Sequence, residues 1–125
     1  MAESFFKRFG SALVLMDADA PDMEATAAAV DSFFRRAGIP YTAVPVRRNS
    51  FIKGPREAEL FISLLTKPSI FFKWKVHRSL AKFKVGRFQS RHGLEFDLVI
   101  TDPSGAISSQ KAVFAKIIDI LDRIQ

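Results

Sequence analysis

The sequence predicts an α/β domain: a three-layer sandwich with a mixed sheet of about four to five strands, three helices and an extended basic β-hairpin. Two observations carry most of this expectation. Residues 11–46 alternate apolar strand, amphipathic helix and second strand, which is a parallel βαβ unit. Within residues 70–100, "IFF" (70–72) is apolar throughout, while "KWKV" and "AKFKV" alternate apolar with basic side chains at a period of two, the pattern of half-exposed strands. The chain of 125 residues is read as one domain, 1–125, with residues 1–10 as an N-terminal tail and 70–100 as the extended hairpin plus an extra strand.

In chain order, "SALVLMD" (11–17) reads as a buried strand. Residues 21–38 read as a helix, with Asp19 as candidate N-cap, Pro21, Asp22 and Glu24 in the first turn, Arg35 and Arg36 in the last, and Gly38 as the stop. "PYTAVPV" (40–46) is a second strand, parallel to the first. Residues 55–66 read as a helix, because Pro55, Glu57 and Glu59 suit a first turn and Leu60, Phe61, Leu64 and Leu65 form an apolar band. The last helix, 108–124, carries Val113, Phe114, Ile117, Ile118, Leu121 and Ile124 on one stripe. The basic, aromatic start, "SFFKRFG" (4–10), is either the stub of a trimmed import sequence or a ragged terminus.

For residues 70–100, a bend at "HRSL" (77–80) sets Val76 against Ala81, Lys75 against Lys82, Trp74 against Phe83, Lys73 against Lys84 and Phe72 against Val85. Apolar residues then share one face, Trp74 among them as core, and lysines share the other. A second hairpin through "RHG" (91–93), with Gly93 left-handed, pairs Phe88 with Phe96, Arg87 with Asp97 and Gln89 with Glu95, given a bulge near Gly86.

Charge is distributed unevenly. Residues 32–94 hold fourteen basic residues against Glu57 and Glu59, whereas 1–31 and 95–125 are each net acidic. The middle segment therefore carries more than the net charge of +6, which points to a polyanion or an acidic protein surface as partner. Directly opposed lysines destabilise a sheet. The lysine face is thus either a solvated surface that discourages edge pairing or one spanned by a bound anion. The candidate contacts are Lys73, Lys75, Lys82 and Lys84, with Arg78 at the tip, Arg87 and Arg91 further along, and Arg47, Arg48, Lys53 and Arg56 beyond the second strand.

The order strand, helix, strand, helix, hairpin, helix is that of the thioredoxin fold, and residues 13–46 resemble the opening of a glutaredoxin. That family has Cys-Pro-x-Cys at the start of its first helix and a Gly-hydrophobic-Pro-Tyr turn into the second strand. Here the turn is "GIPY" (38–41), and "APDM" puts Ala20 and Met23 where the cysteines would be. "KPSIFF" (67–72) resembles the stretch in which a cis-proline precedes the third strand, with Pro68 matching, 47 positions after Pro21. The resemblance implies a thioredoxin-like, redox-inactive member: dithiol exchange needs a thiolate, and the chain has no cysteine. It implies no cofactor.

Other chemistry finds little support. "LVLMDAD" (13–19) resembles an Asp-x-Asp phosphatase site and "DLVITDPSG" (97–105) a receiver's phosphoacceptor strand, but capping by Asp19 and a turn at Asp102 account for both. His77 and His92 both fall at expected bends, without partners at ligand spacing. The sequence contains no apolar run long enough to cross a membrane. The expectation is a non-enzymatic structural subunit of a ribonucleoprotein, a mitochondrial ribosomal protein first, contacting rRNA phosphates and neighbouring proteins. The alternatives are an accessory subunit of a protein-only assembly such as a respiratory complex and, more remotely, a Mg²⁺-dependent phosphotransfer enzyme. Localisation follows the assembly: mitochondrial, or else cytoplasmic.

Overall fold

The computed structural model describes residues 5–47, 52–65, 70–87, 96–100 and 109–123. It shows β1 (Ala12–Asp17), α1 (Met23–Ala37), β2 (Tyr41–Val46), β3 (Leu60–Ser63), α2 (Ile70–Arg78), β4 (Phe83–Arg87), β5 (Leu98–Ile100) and α3 (Gln110–Asp122), after a 3-10 turn at Phe5–Arg8. The five strands form one sheet in the order β2-β1-β3-β4-β5, and every pairing is parallel.

β1 shows why the sheet needs cover on both faces. Ala12, Val14 and Met16 point to one side, Leu13 and Leu15 to the other, and all five are buried. A continuous apolar run of this kind is how a central parallel strand reads. Leu60, Phe61 and Ile62 of β3 follow the same rule. Right-handed crossovers then assign the helices. The chain moves one way across the sheet from β1 to β2 and the opposite way from β3 to β4, so α1 and α2 lie on opposite faces. On the first face, Val30 and Phe34 of α1 meet Val113, Phe114, Ile117 and Leu121 of α3. Phe6 and Phe9, in the segment expected as a tail, are buried there too. On the second face, Phe72 and Val76 of α2 cover Leu13, Leu15 and Phe61, joined by Ile52, Ala58 and Leu65.

The βαβ unit and α3 form where the sequence places them. Gly38 adopts the left-handed conformation (φ 72°) and donates to Arg35 O, closing α1. Ser109 caps α3 by accepting from the Ala112 N–H. The start of α1 differs from expectation: its N-cap is Asp22, while Asp19 sits in the preceding turn with its N–H on Asp17 Oδ1. The Asp22 carboxylate makes no cap bond within α1's own first turn and instead accepts from the Lys111 N–H at 3.0 Å, tying the starts of α1 and α3 together.

Three expectations in the middle of the chain are overturned. Residues 55–66 hold a strand, β3, instead of a helix; burial of "LFIS" between two layers outweighs the cues from Pro55 and Glu57. Residues 70–78 are helical, so the first hairpin is absent: Phe72 and Val76, four apart, share the buried side and Trp74 is exposed. β4 and β5 are parallel, with Val85 opposite Leu98, Gly86 opposite Val99 and Arg87 opposite Ile100, which excludes the second hairpin. Gly86 makes no bulge. A Cβ there would stand 2.7 Å from the Phe96 ring, so the glycine lets Phe96 lie on the sheet and stack on Phe72. The mixed sheet of a thioredoxin-like fold is replaced by a fully parallel one. Residues 67–69, including the Lys67–Pro68 bond, lie outside the described residues, as do Ile124, Arg48, Arg91, His92 and Asp102.

The placement of α2 gives a direct test. Phe72→Ala is expected to cost about 3 kcal/mol or more in urea unfolding, and Trp74→Gln less than about 1 kcal/mol. A hairpin with Trp74 in the core would make both substitutions severe.

Candidate nucleic-acid interface

In place of a helix, the connection from β2 to β3 lays residues 52–59 directly across the second face. Ile52 and Ala58 are its buried anchors. Between them Gly54 has φ 123°, and a Cβ on it would come within 2.7 Å of Leu13 Cδ1. Both the backbone angle and the close approach require glycine. The loop is then fastened to the end of α2: Leu80 N–H donates to Arg56 O at 3.0 Å, and Lys75 Nζ donates to Gly54 O at 2.6 Å.

α2 has little intrinsic helix preference, since Ile70, Val76 and three aromatics lose rotamer freedom in a helix. Its buried side holds it in place, and Lys75, His77 and Arg78 in the last turn suit the dipole there. The outward stripe, Phe71, Trp74 and Arg78, is exposed, and the Arg78 guanidinium lies 4.8 Å from the Trp74 ring centroid.

Loop and helix enclose a cavity of about 370 Å³, lined by Ile52, Lys53, Gly54, Arg56, Trp74, Lys75, Arg78 and Ser79. Four of these are cationic and none is acidic. Among the described residues, Lys53, Arg56, Lys75 and Arg78 form no ion pair. Lys75 is buried, yet Gly54 O takes only one of its three N–H hydrogens. Burial pushes the Lys75 pKa below the ordinary lysine value, and the nearby charge of Glu57 opposes that shift. The carbonyl end of α2 is mildly repulsive to anions, by about 0.3–1 kcal/mol. Lys84 offsets this by donating from Nζ to Val76 O at 2.9 Å.

The expected contacts thus separate. Lys53, Arg56, Lys75 and Arg78 converge on the cavity. Lys73 is half-buried on α2, outside the lining. Lys82 is neutralised by Glu59 at 2.6 Å, and that hydrogen bond, with one from the Gly10 N–H, holds the Glu59 carboxyl below the usual range. Lys84 is turned back onto α2 while its N–H donates to the Asp97 carboxylate. Arg87 is buried, with Nη1 3.4 Å from Leu64 O. Arg47 is exposed just beyond β2 and does not line the cavity. The residue that sequence reasoning missed is Trp74, which a period-two reading places in the core. A helical reading of the same stretch, with Phe72 and Val76 inward, turns it out.

Doubly wound sheets of this strand order hold ligands beyond the carboxyl ends of the strands, where the order reverses between β1 and β3. Here Gln110 is packed into that point: its amide donates to Asp17 O at 3.0 Å and accepts from Asp17 N–H at 2.9 Å. Asp17 and Asp22 are engaged with Asp19 and Lys111 main chain, and among the described residues no three carboxylate or histidine side chains gather as a metal-binding group. His77 is exposed on α2. Among the described residues no helix is long and apolar enough to cross a membrane.

What topology and site define is a doubly wound, all-parallel α/β domain with a cationic, tryptophan-lined cavity on its α2 face. Comparison with protein-family models, curated proteins and solved structures gave no match. The glutaredoxin resemblance has its best-matched stretch in β1-α1-β2, a unit that parallel α/β sheets share in general.

Because the Lys75 pKa is lower folded than unfolded, the unfolded chain binds more protons between the two values. This group's contribution to stability therefore rises as pH climbs from the folded pKa toward 10.5. An NMR titration of the lysine Nζ groups should find Lys75 deprotonating below 10.5. The stability difference between wild type and Lys75→Met should shift toward wild type across the same interval.

Proposed function

We propose that the protein is a non-catalytic subunit of a ribonucleoprotein that binds RNA phosphates with the α2 face, a mitochondrial ribosome being the first particle to test. One observation supports this reading above the rest: four cationic side chains, without ion-pair partners among the described residues, surround one cavity beside an exposed tryptophan. A polyanion answers such a surface by releasing its counterions to solution. Flexible Lys53, Arg56 and Arg78 contact phosphates without reading sequence, so they set register and orientation only. Phe71 (37% exposed) and Leu80 (60% exposed) flank the cations and favour a neighbouring protein in the same particle. They equally suit the alternative of an accessory subunit in a protein-only assembly, where the cations would meet acidic side chains.

The native protein should co-sediment with its particle and be released by RNase. The triple variant Lys53→Gln, Arg56→Gln, Arg78→Gln should weaken RNA binding. Its slope of log affinity against log salt should be shallower by about 0.7 for every single-strand phosphate left without a cation. Lys82→Gln, whose lysine Glu59 already neutralises, should leave the slope unchanged. Particle association that survives both RNase and the triple variant would transfer the assignment to the protein-only assembly.

A further inference from the structure

The cavity has features that phosphate attraction alone does not use. Its volume, about 370 Å³, lies at the small end of ligand pockets and is far too small for a duplex. One wall is an indole, 47% exposed, whose ring lies under a planar cation. The lining also holds the part-buried Lys75 ammonium, with hydrogen-bonding capacity beyond Gly54 O.

We propose that this cavity seats one unstacked nucleotide of single-stranded RNA, with its base on Trp74 and its phosphate among Lys53, Arg56 and Lys75. The inference rests on the RNA-binding reading and adds the form of the RNA and the site on it. Arg78 occupies the place that the base takes. A base stacks on an aromatic face more strongly than a cation–π contact holds an exposed guanidinium. A base therefore displaces the guanidinium, and Arg78, at the exposed end of α2, turns to the neighbouring phosphate. Lys75 acts differently from the surface cations. Burial penalises its charge, and an arriving phosphate supplies the counter-charge that the protein lacks there, Glu57 being close enough to influence Lys75 but forming no ion pair with it. An acidic peptide would satisfy the cations but has no aromatic ring to lay on the exposed part of the indole. RNA uses both features.

Trp74 is the chain's single tryptophan, so intrinsic tryptophan fluorescence of the intact protein reports from this cavity alone. The test titrates the full chain at low salt with a ten-nucleotide oligouridylate, a blunt RNA duplex of the same length, and polyglutamate. The oligouridylate should quench Trp74 and bind about tenfold or more tightly than the duplex. By anisotropy of labelled RNA, Trp74→Leu should lose that preference while retaining salt-dependent binding to both forms, and Trp74→Phe should restore most of it. If Trp74→Leu keeps the full single-strand preference, or the duplex quenches equally, the nucleotide site is wrong and the phosphate-binding surface stands. If polyglutamate quenches and competes as well as oligouridylate, the partner is an acidic protein. If neither RNA form binds at low salt, both the site and the ribonucleoprotein reading fall.

Discussion

Burial of β1 and β3 on both faces is the constraint from which the rest of the structure follows. Val14, Leu15, Leu60, Phe61 and Ile62 are each wholly inaccessible to solvent, so neither sheet face can be left to water. Parallel pairing forces crossovers, and right-handed crossovers that run in opposite directions from β1 and β3 put cover on opposite faces. The first face receives two well-formed amphipathic helices. Among the described residues, the second is covered by the short α2 and the loop 52–59, with Leu65, Ala81 and Phe96 packed beside them. On this face two glycines admit close cover: Gly54 lets the loop approach Leu13, and Gly86 lets the Phe96 ring lie on the sheet.

How much of this could be read from the residues depended on whether local pattern and tertiary demand agreed. They agree for α1, where Gly38 and the terminal arginines mark the end, and for α3, whose apolar stripe has only one side to cover. They conflict for β3 and α2. "LFISLL" contains apolar residues at helical and strand spacings alike, and only its position between two layers decides for a strand. "FFKWKVHR" alternates as a strand does, yet the second face needs a helix with Phe72 and Val76 inward. Once that segment is helical, the thioredoxin-like hairpin has no strand to begin with. Charge alone marks Lys53, Arg56, Lys75 and Arg78 as candidate anion contacts. Their convergence with Trp74 was not, because it depends on the fold of a segment whose local pattern favours the wrong element.

The same rearrangement resolves the repulsion that a lysine-faced hairpin would carry. Lys73 and Lys75 ride on a helix, Lys82 finds Glu59, and Lys84 neutralises a helix-end carbonyl. Among the described residues, Lys82, Lys84 and Arg87 are thereby met by protein acceptors, while Lys75 and Arg78 line the cavity. Exposed pairs such as Lys82 with Glu59 add little stability. Their effect on the electrostatics is local: Glu59 offsets the charge of Lys82 where the two meet.

Lys75 is the buried cation of the cavity lining. Its ammonium is partly withdrawn from water onto one carbonyl acceptor, and that partial desolvation, opposed by the charge of Glu57, disfavours the charged form. Its position is also no accident of a flexible surface. Gly54 O, the acceptor that holds it, is placed by a left-handed residue that only glycine adopts easily, in a loop pinned at Arg56 and anchored by Ile52 and Ala58. Lys75 is thereby held in the lining of a cavity with three further cations and an indole, where any anion bound to the folded state alone would add to stability.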